Sequence, residues 1–274
     1  MIYLDNPSTD PAYNLALEEH LVYADERDIL MLWQNDPAVI VGRNQHTDNQ
    51  VDRALAAELG IAVVRRLSGG GAVYHDRGNL NFTLILRDAT RYKQDFAFFT
   101  RPIVEVLRSY GVDAVLHGRN DLLAGGRKFS GNAQYYHGST VMHHGTILWD
   151  SDLDVLARVL KPKQRVEARG VDSHTARVTN LAPLLAGAVT LERFKADLVE
   201  ALVGAGDVGD SCSNFALTST GEMLADSKMA FTRRQPAPTV PAALLAKYRS
   251  DAWNWGEGVD DELAAPFESF PASC

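Results

Sequence analysis

The feature that most limits the fold is the spacing of short apolar runs in the first half of the chain. Residues 29–34, 38–42, 61–67, 72–75, 79–86, 114–117, 121–123, 128–136 and 140–149 all read as strands. Several breaks between them are hairpin-sized and built from turn residues, as at Asn35-Asp36-Pro37, Gly125-Gly126 and Gly138. A parallel pair needs a crossover of about a dozen residues or more, so strands this close in sequence favour antiparallel pairing. Helical patterns interrupt the series: the run opened by Asp10 and Pro11, then 52–59 ending at Gly60, 96–110, 152–160, 191–203 and 242–248. No regular βαβ alternation is present, which argues against a doubly wound fold. The expectation is an α+β protein with a mixed, largely antiparallel sheet flanked by helices.

At 274 residues the chain suffices for one large domain. We read residues 1–256 as that domain, 235–241 as a proline-punctuated linker within it, and 257–274 as a short acidic tail. The net charge of −8 argues against a general nucleic-acid binder. No apolar run reaches the length of a membrane span, and no signal-peptide pattern opens the chain. The two cysteines, Cys212 and Cys274, stand far apart, so a disulfide framework is not expected and a reducing cytoplasm is.

Four segments carry candidate chemistry. In Arg65-Arg66-Leu67-Ser68-Gly69-Gly70-Gly71, two fixed cations precede three consecutive glycines. On pattern alone a hairpin and an anion site are about equally good readings. The loop is neither a P-loop nor a dinucleotide fingerprint, because no Gly-Lys-Ser/Thr follows and no helix begins there. Adjacent strand residues point to opposite faces, so only one of the two arginines can face a site. The second segment runs from Gly118-Arg119-Asn120-Asp121 to Arg127-Lys128-Phe129-Ser130-Gly131-Asn132-Ala133. Its lysine is a solvated edge charge or a point cation for a carboxylate held beside a phosphate. Asn120 and Asp121 form a turn, or serve Mg2+ or a ribose. The third is His143-His144-Gly145, whose two rings must face opposite sides of a strand and cannot jointly hold a metal. The fourth, Lys161, Lys163, Arg165 and Arg169, is a basic cluster that is either solvated or a docking patch for an acidic partner.

As a set, these motifs, together with Val73-Tyr74-His75-Asp76, Gly78-Asn79, Arg177-Val178-Thr179-Asn180-Leu181 and Trp253-Asn254-Trp255-Gly256, resemble the lipoate–protein ligase A family. The resemblance runs in order to about Gly256. It implies a fold like that of biotin-protein ligases and class II aminoacyl-tRNA synthetases. It also implies a two-step reaction: ATP and lipoate give lipoyl-AMP, assisted by Mg2+, and the lipoyl group then passes to a lysine of an acceptor domain. By motif position Lys128 is the catalytic cation, shared by nucleotide and lipoate. Arg66, Gly71, Ala72, Val73 and Tyr74 match the nucleotide-binding positions. Gly69, Gly70, Gly71, His75, Asn79, Ser130, Gly131 and His144 match lipoate-lining positions, and Asn120 and Asp121 the metal position. The implied acceptors are lipoyl domains of 2-oxoacid dehydrogenase E2 chains or the glycine-cleavage H protein. For these, residues 161–169 and Arg119 are the docking expectation.

Two departures shape that reading. Cysteine-dependent octanoyltransferases of the same superfamily form an acyl-thioester, whereas residues 1–211 here hold no cysteine, which leaves the adenylate route. The tail after Gly256 is also too short for the family's C-terminal accessory domain. That leads to the expectation of a separate small accessory subunit for activation, or a lipoyltransferase acting on preformed lipoyl-AMP. A silent lipoate- or adenylate-binding module is the third reading. Retention of both Lys128 and Arg66 stands against it.

Overall fold

A computed structural model describes residues 1–160, 178–185, 189–203 and 234–256. The basic cluster at 161–169, both cysteines, Arg177 and the tail 257–274 lie outside the described residues. The strands are β1 (Ile2–Asp5), β2 (Ile29–Trp33), β3 (Ala38–Val41), β4 (Ala62–Arg65), β5 (Val73–His75), β6 (Asn79–Leu86), β7 (Ala114–His117), β8 (Asp121–Ala124), β9 (Arg127–His137), β10 (Thr140–Leu148) and β11 (Arg234–Pro236). The helices are α1 (Pro11–Ala24), α2 (Arg53–Glu58), α3 (Phe96–Ser109), α4 (Leu153–Val159), α5 (Leu191–Val203), α6 (Ala242–Arg249) and α7 (Asp251–Trp255).

Local chemistry explains where the helices begin and end. The Asp10 carboxylate accepts from the N–H groups of Ala12 and Tyr13, and Pro11 stands at the first helical position of α1. Asp52, Asp95 and Asp152 cap α2, α3 and α4 in the same way. Gly60 stops α2 with φ of +65°, a conformation that costs a residue with a Cβ.

The large sheet has the order β11-β1-β2-β6-β10-β9-β8-β7. Every neighbouring pair from β2 to β7 is antiparallel, while β1 pairs parallel with both β2 and β11. A smaller sheet, β4-β3-β5, ends its β4 strand at Arg65, with Arg66 the next residue, and leads into and out of the glycine loop. The mixed, mainly antiparallel α+β expectation therefore holds. The proline-punctuated segment is corrected in part: β11 falls on residues 234–236 and closes an edge beside β1. Its pairing partner is more than two hundred residues away, so no local pattern announces it.

Both faces of the large sheet are covered. Leu30 and Leu32 of β2, with Leu80, Phe82 and Leu84 of β6, pack towards α3 and α5. Ile29, Met31 and Trp33, with Ile85 and Met142, pack towards α1, α6 and α7. Strand alternation thus sorts one sequence into two cores. On the second face, however, the apolar pattern breaks: Asn79, Asn81 and Thr83 of β6 are all buried. Among the described residues no helix is long and apolar enough to cross a membrane.

Candidate active site

Buried polar residues on a sheet face are costly unless paired, so the break in the pattern locates the site. Asn81 lies opposite Trp33 on β2 and Thr146 on β10. The Thr146 hydroxyl accepts from the Gly131 N–H at 3.3 Å on the next strand, β9. The Lys128 ammonium stands 3.1 Å from where a Cβ on Gly131 would be, so the glycine leaves room for it. A bulge between β8 and β9, at the Leu122/Leu123 step, shifts the pairing around Lys128, and Phe129 goes into the α3-side core. Lys128 also pairs with Asp121 at 2.7 Å, each side chain about a quarter exposed.

The glycine loop lies beside this face and is held from within. Arg66 donates from Nε to Ser68 Oγ (3.0 Å), from Nη1 to the Ile40 carbonyl (3.1 Å), and from Nη2 to the carbonyls of Gly69 (2.7 Å) and Gly71 (2.8 Å). Burial lowers its guanidinium pKa to about 10, against which Glu18 pulls upward. Ser68 in turn meets His144 Nε2 at 2.6 Å, and His144 Nδ1 meets Glu18 Oε1 at 2.9 Å. Glu18 also accepts from Thr83, and Thr83 from the Trp33 indole. The result is a continuous polar path from the loop, across the sheet face, to α1.

Gly42 is the floor of the loop. A Cβ there would stand 2.2 Å from the Gly70 carbonyl, and Gly70 itself has φ of +99°. On the expectation that the loop holds a nucleotide, Gly42→Ala should displace it and weaken that affinity at least tenfold. Calorimetric titration with ATP would show this, and unchanged affinity would mean the loop does not shape the site.

The two arginines diverge as strand geometry requires. Arg65 turns away from the loop and is fully enclosed by α7 and the 42–47 segment. The two histidines diverge likewise. His143 stacks on Phe99 and Phe82 towards α3, and burial holds its pKa well below the ordinary value. Of the residues singled out in the sequence, Arg66, Gly69, Gly70, Gly71, His75, Asn79, Lys128, Gly131 and His144 gather on or beside the α1 face of the sheet. Ala72, Val73 and Tyr74 lead the loop into β5. Ser130 does not join them: its hydroxyl accepts from Asn132 Nδ2, and Asn132 contacts His143 on the α3 side. Glu18, Trp33 and Asn81 escaped the sequence reading. Their signal was present for Asn81 in the spacing Gly78-Asn79-Leu80-Asn81, two amides on one strand face.

For Mg2+ the donor set is small. No group of three His, Cys, Asp or Glu side chains able to hold a metal occurs among the described residues. Asp121 supplies one carboxylate, and Asn120 donates its amide to the Asn132 carbonyl at 2.7 Å. One carboxylate fits Mg2+ only where phosphate oxygens complete the shell.

The family model for the lipoyl protein ligase A/B catalytic domain matches residues 10–203. The lipoate-protein ligase LplJ of Bacillus subtilis is 42% identical over 214 residues, 77% of this chain and 65% of that protein. The chain thus spans less than two thirds of that relative's length. Among solved structures, the bi-partite lipoate protein ligase of Thermoplasma acidophilum superposes with a TM-score of 0.72 at 24% identity, covering 94% of this chain and 96% of that one. A lipoate-protein ligase A bound with ATP also gives 0.72 at 24% identity, covering 93% and 98%. These two likenesses establish the fold. With the family model covering most of the described site, the chain belongs to the lipoyl protein ligase A/B catalytic domain family.

Proposed function

We propose that this chain forms or receives lipoyl-AMP and transfers the lipoyl group to a lysine of a lipoyl acceptor domain. The observation that carries this reading is Lys128, whose ammonium is positioned over Gly131 beside a buried polar sheet face. In the first step a lipoate carboxylate oxygen attacks the α-phosphorus of ATP, and pyrophosphate leaves with the electron pair of the broken P–O bond. In the second, an acceptor amine attacks the acyl carbon, the C–N bond forms, the C–O bond to AMP breaks, and the amine loses its proton. Both steps alter negative charge on the same acyl oxygens, so one fixed cation serves each. Mg2+, held by Asp121 and substrate phosphates, would screen phosphate charge. The main-chain N–H groups of the glycine loop and the 71–74 segment supply donors for the nucleotide. Asn79 and Asn81 hold each other at 2.8 Å, and each keeps one unpartnered buried amide atom for the ligand.

Lipoate and ATP as substrates agree with the names and contents of the relatives above. A second polypeptide for the activation step agrees with the bi-partite archaeal ligase, whose structure was described with its E2 lipoyl domain. The test uses the purified chain, an apo lipoyl domain and mass spectrometry. Lipoylation from preformed lipoyl-AMP is expected, and its absence would sink the proposal. Pyrophosphate release from ATP and lipoate should stay low until a small accessory protein is added. Rapid release by the chain alone would remove the partner.

A further inference from the structure

His75 ends β5 with only 3% of its surface exposed, and its Nε2 is a buried atom with no hydrogen-bond partner. Its other nitrogen, Nδ1, lies 3.1 Å from Asn35 Nδ2. Which nitrogen carries the proton depends on how Asn35 is oriented, and that is fixed by groups whose roles are unambiguous. The Ser8 N–H donates to Asn6 Oδ1 at 3.2 Å, so the Asn6 amide nitrogen faces Asn14 Oδ1 at 2.8 Å. Asn14 Nδ2 faces the carbonyls of Ser8 and Gln34, which only accept, at 3.1 and 3.2 Å. The same nitrogen reaches Asn35 Oδ1 at 2.9 Å. Asn35 therefore presents Nδ2 to the ring, His75 Nδ1 accepts, and the ring proton sits on Nε2.

We infer that Asn6, Asn14 and Asn35 form a tautomer lock that presents His75 as a neutral Nε2–H donor to an acyl oxygen of the bound substrate. This rests on the function proposed above. The groups that face the ring are Arg66, His144 and the Trp33 indole, the last edge-on at 6.1 Å between ring centres. The neighbouring Asp76 instead turns its carboxylate to the N–H groups of Gly78 and Asp152. Burial, with Arg66 and His144 adding to it, brings the His75 pKa down to about 3, so the ring stays neutral across the working pH range. A buried N–H without a partner costs free energy, and a ligand oxygen removes that cost. A neutral donor also avoids placing a second cation beside Arg66. The three asparagines are positioning residues; they act through His75.

The test is two-dimensional 15N–1H NMR of the full chain labelled at histidine, together with the pH profile of transfer from lipoyl-AMP. In the wild type His75 should show the Nε2–H tautomer without titrating from about pH 5 to 9, and lipoic acid or lipoyl-AMP should shift its Nε2 signal. In Asn35→Asp the new carboxylate accepts from Nδ1, which favours the imidazolium and raises the ring's pKa. Above that pKa Nε2 has lost its proton, so transfer should fall about tenfold to a hundredfold. Below it both nitrogens are protonated and the rate should recover. An Nδ1–H tautomer in the wild type, or an Nε2 signal indifferent to both ligands, overturns the inference. A pH-independent Asn35→Asp rate does the same, and if that variant fails to fold the wild-type spectra still decide. Loss of wild-type transfer with the ligand-induced shift intact would instead sink the transfer reaction and leave the His75 contact standing.

Discussion

Lys128→Ala is expected to slow lipoyl transfer by about a thousandfold while leaving the fold intact, the magnitude seen when one preorganised donor to a developing oxyanion is removed. Folding should tolerate the change because the side chain is 27% exposed and its ion pair is with the similarly exposed Asp121. Such pairs contribute roughly 0–1 kcal/mol. Lys128→Arg should not rescue, since a planar guanidinium cannot occupy the point above Gly131 that a compact ammonium fills. Gly131→Ala probes the same position from below: its Cβ would crowd Lys128 Nζ and Cε at 3.1 and 3.2 Å, and a loss of about tenfold should follow. Single-turnover transfer from lipoyl-AMP, with melting temperature as the control, reads all three. A folded Lys128→Ala chain that transfers at the wild-type rate would place the cation elsewhere.

Much of this was legible because it is local. The Asp-capped helices, the hairpin-linked strands and the opposed directions of His143 and His144 follow from chemistry within a few residues. The reading that joins Lys128 to the glycine loop rests on the likeness of whole motifs, since strand order is not written in any one segment. What stayed hidden depends on distant partners. The edge strand β11 needs β1, and Glu18 looks like one more acid on a helix until His144, 126 residues away, meets it. Asn35 reads as a turn residue and Asn14 as one position within a helix, because an amide relay exists only once α1 packs against the β2–β3 connection. Arg65 and Arg66 divided as the strand rule requires, yet the rule could not say which would serve the loop.

That division makes Arg65 the position where the largest loss of stability is expected. Its guanidinium donates to the carbonyls of Trp253 (2.7 Å), Gly42 (3.2 Å), Arg43 (2.9 Å) and Gln45 (2.7 Å), and to the Thr47 hydroxyl (2.9 Å). Its own main chain joins in, donating to Asn254 Oδ1 and accepting from the Trp253 indole. None of these partners is a carboxylate, so among the described residues a fixed cation is met by carbonyl and hydroxyl dipoles, and burial lowers its pKa from the ordinary value. Arg65→Ala takes the donor from five acceptors at once, three of them fully buried, and should cost about 3–5 kcal/mol. At roughly 2–4 °C per kcal/mol for a domain of this size, the melting temperature should fall by about 6–20 °C. Arg65→Lys should recover little, because three donors on one atom cannot span acceptors on both α7 and the 42–47 segment. The same variants should weaken ATP binding although Arg65 has no place in the loop: losing its grip on Gly42 frees the floor against which Gly70 packs. A melting temperature within about 2 °C of the wild type would show that α7 is held by its apolar contacts and that the buried cation is dispensable.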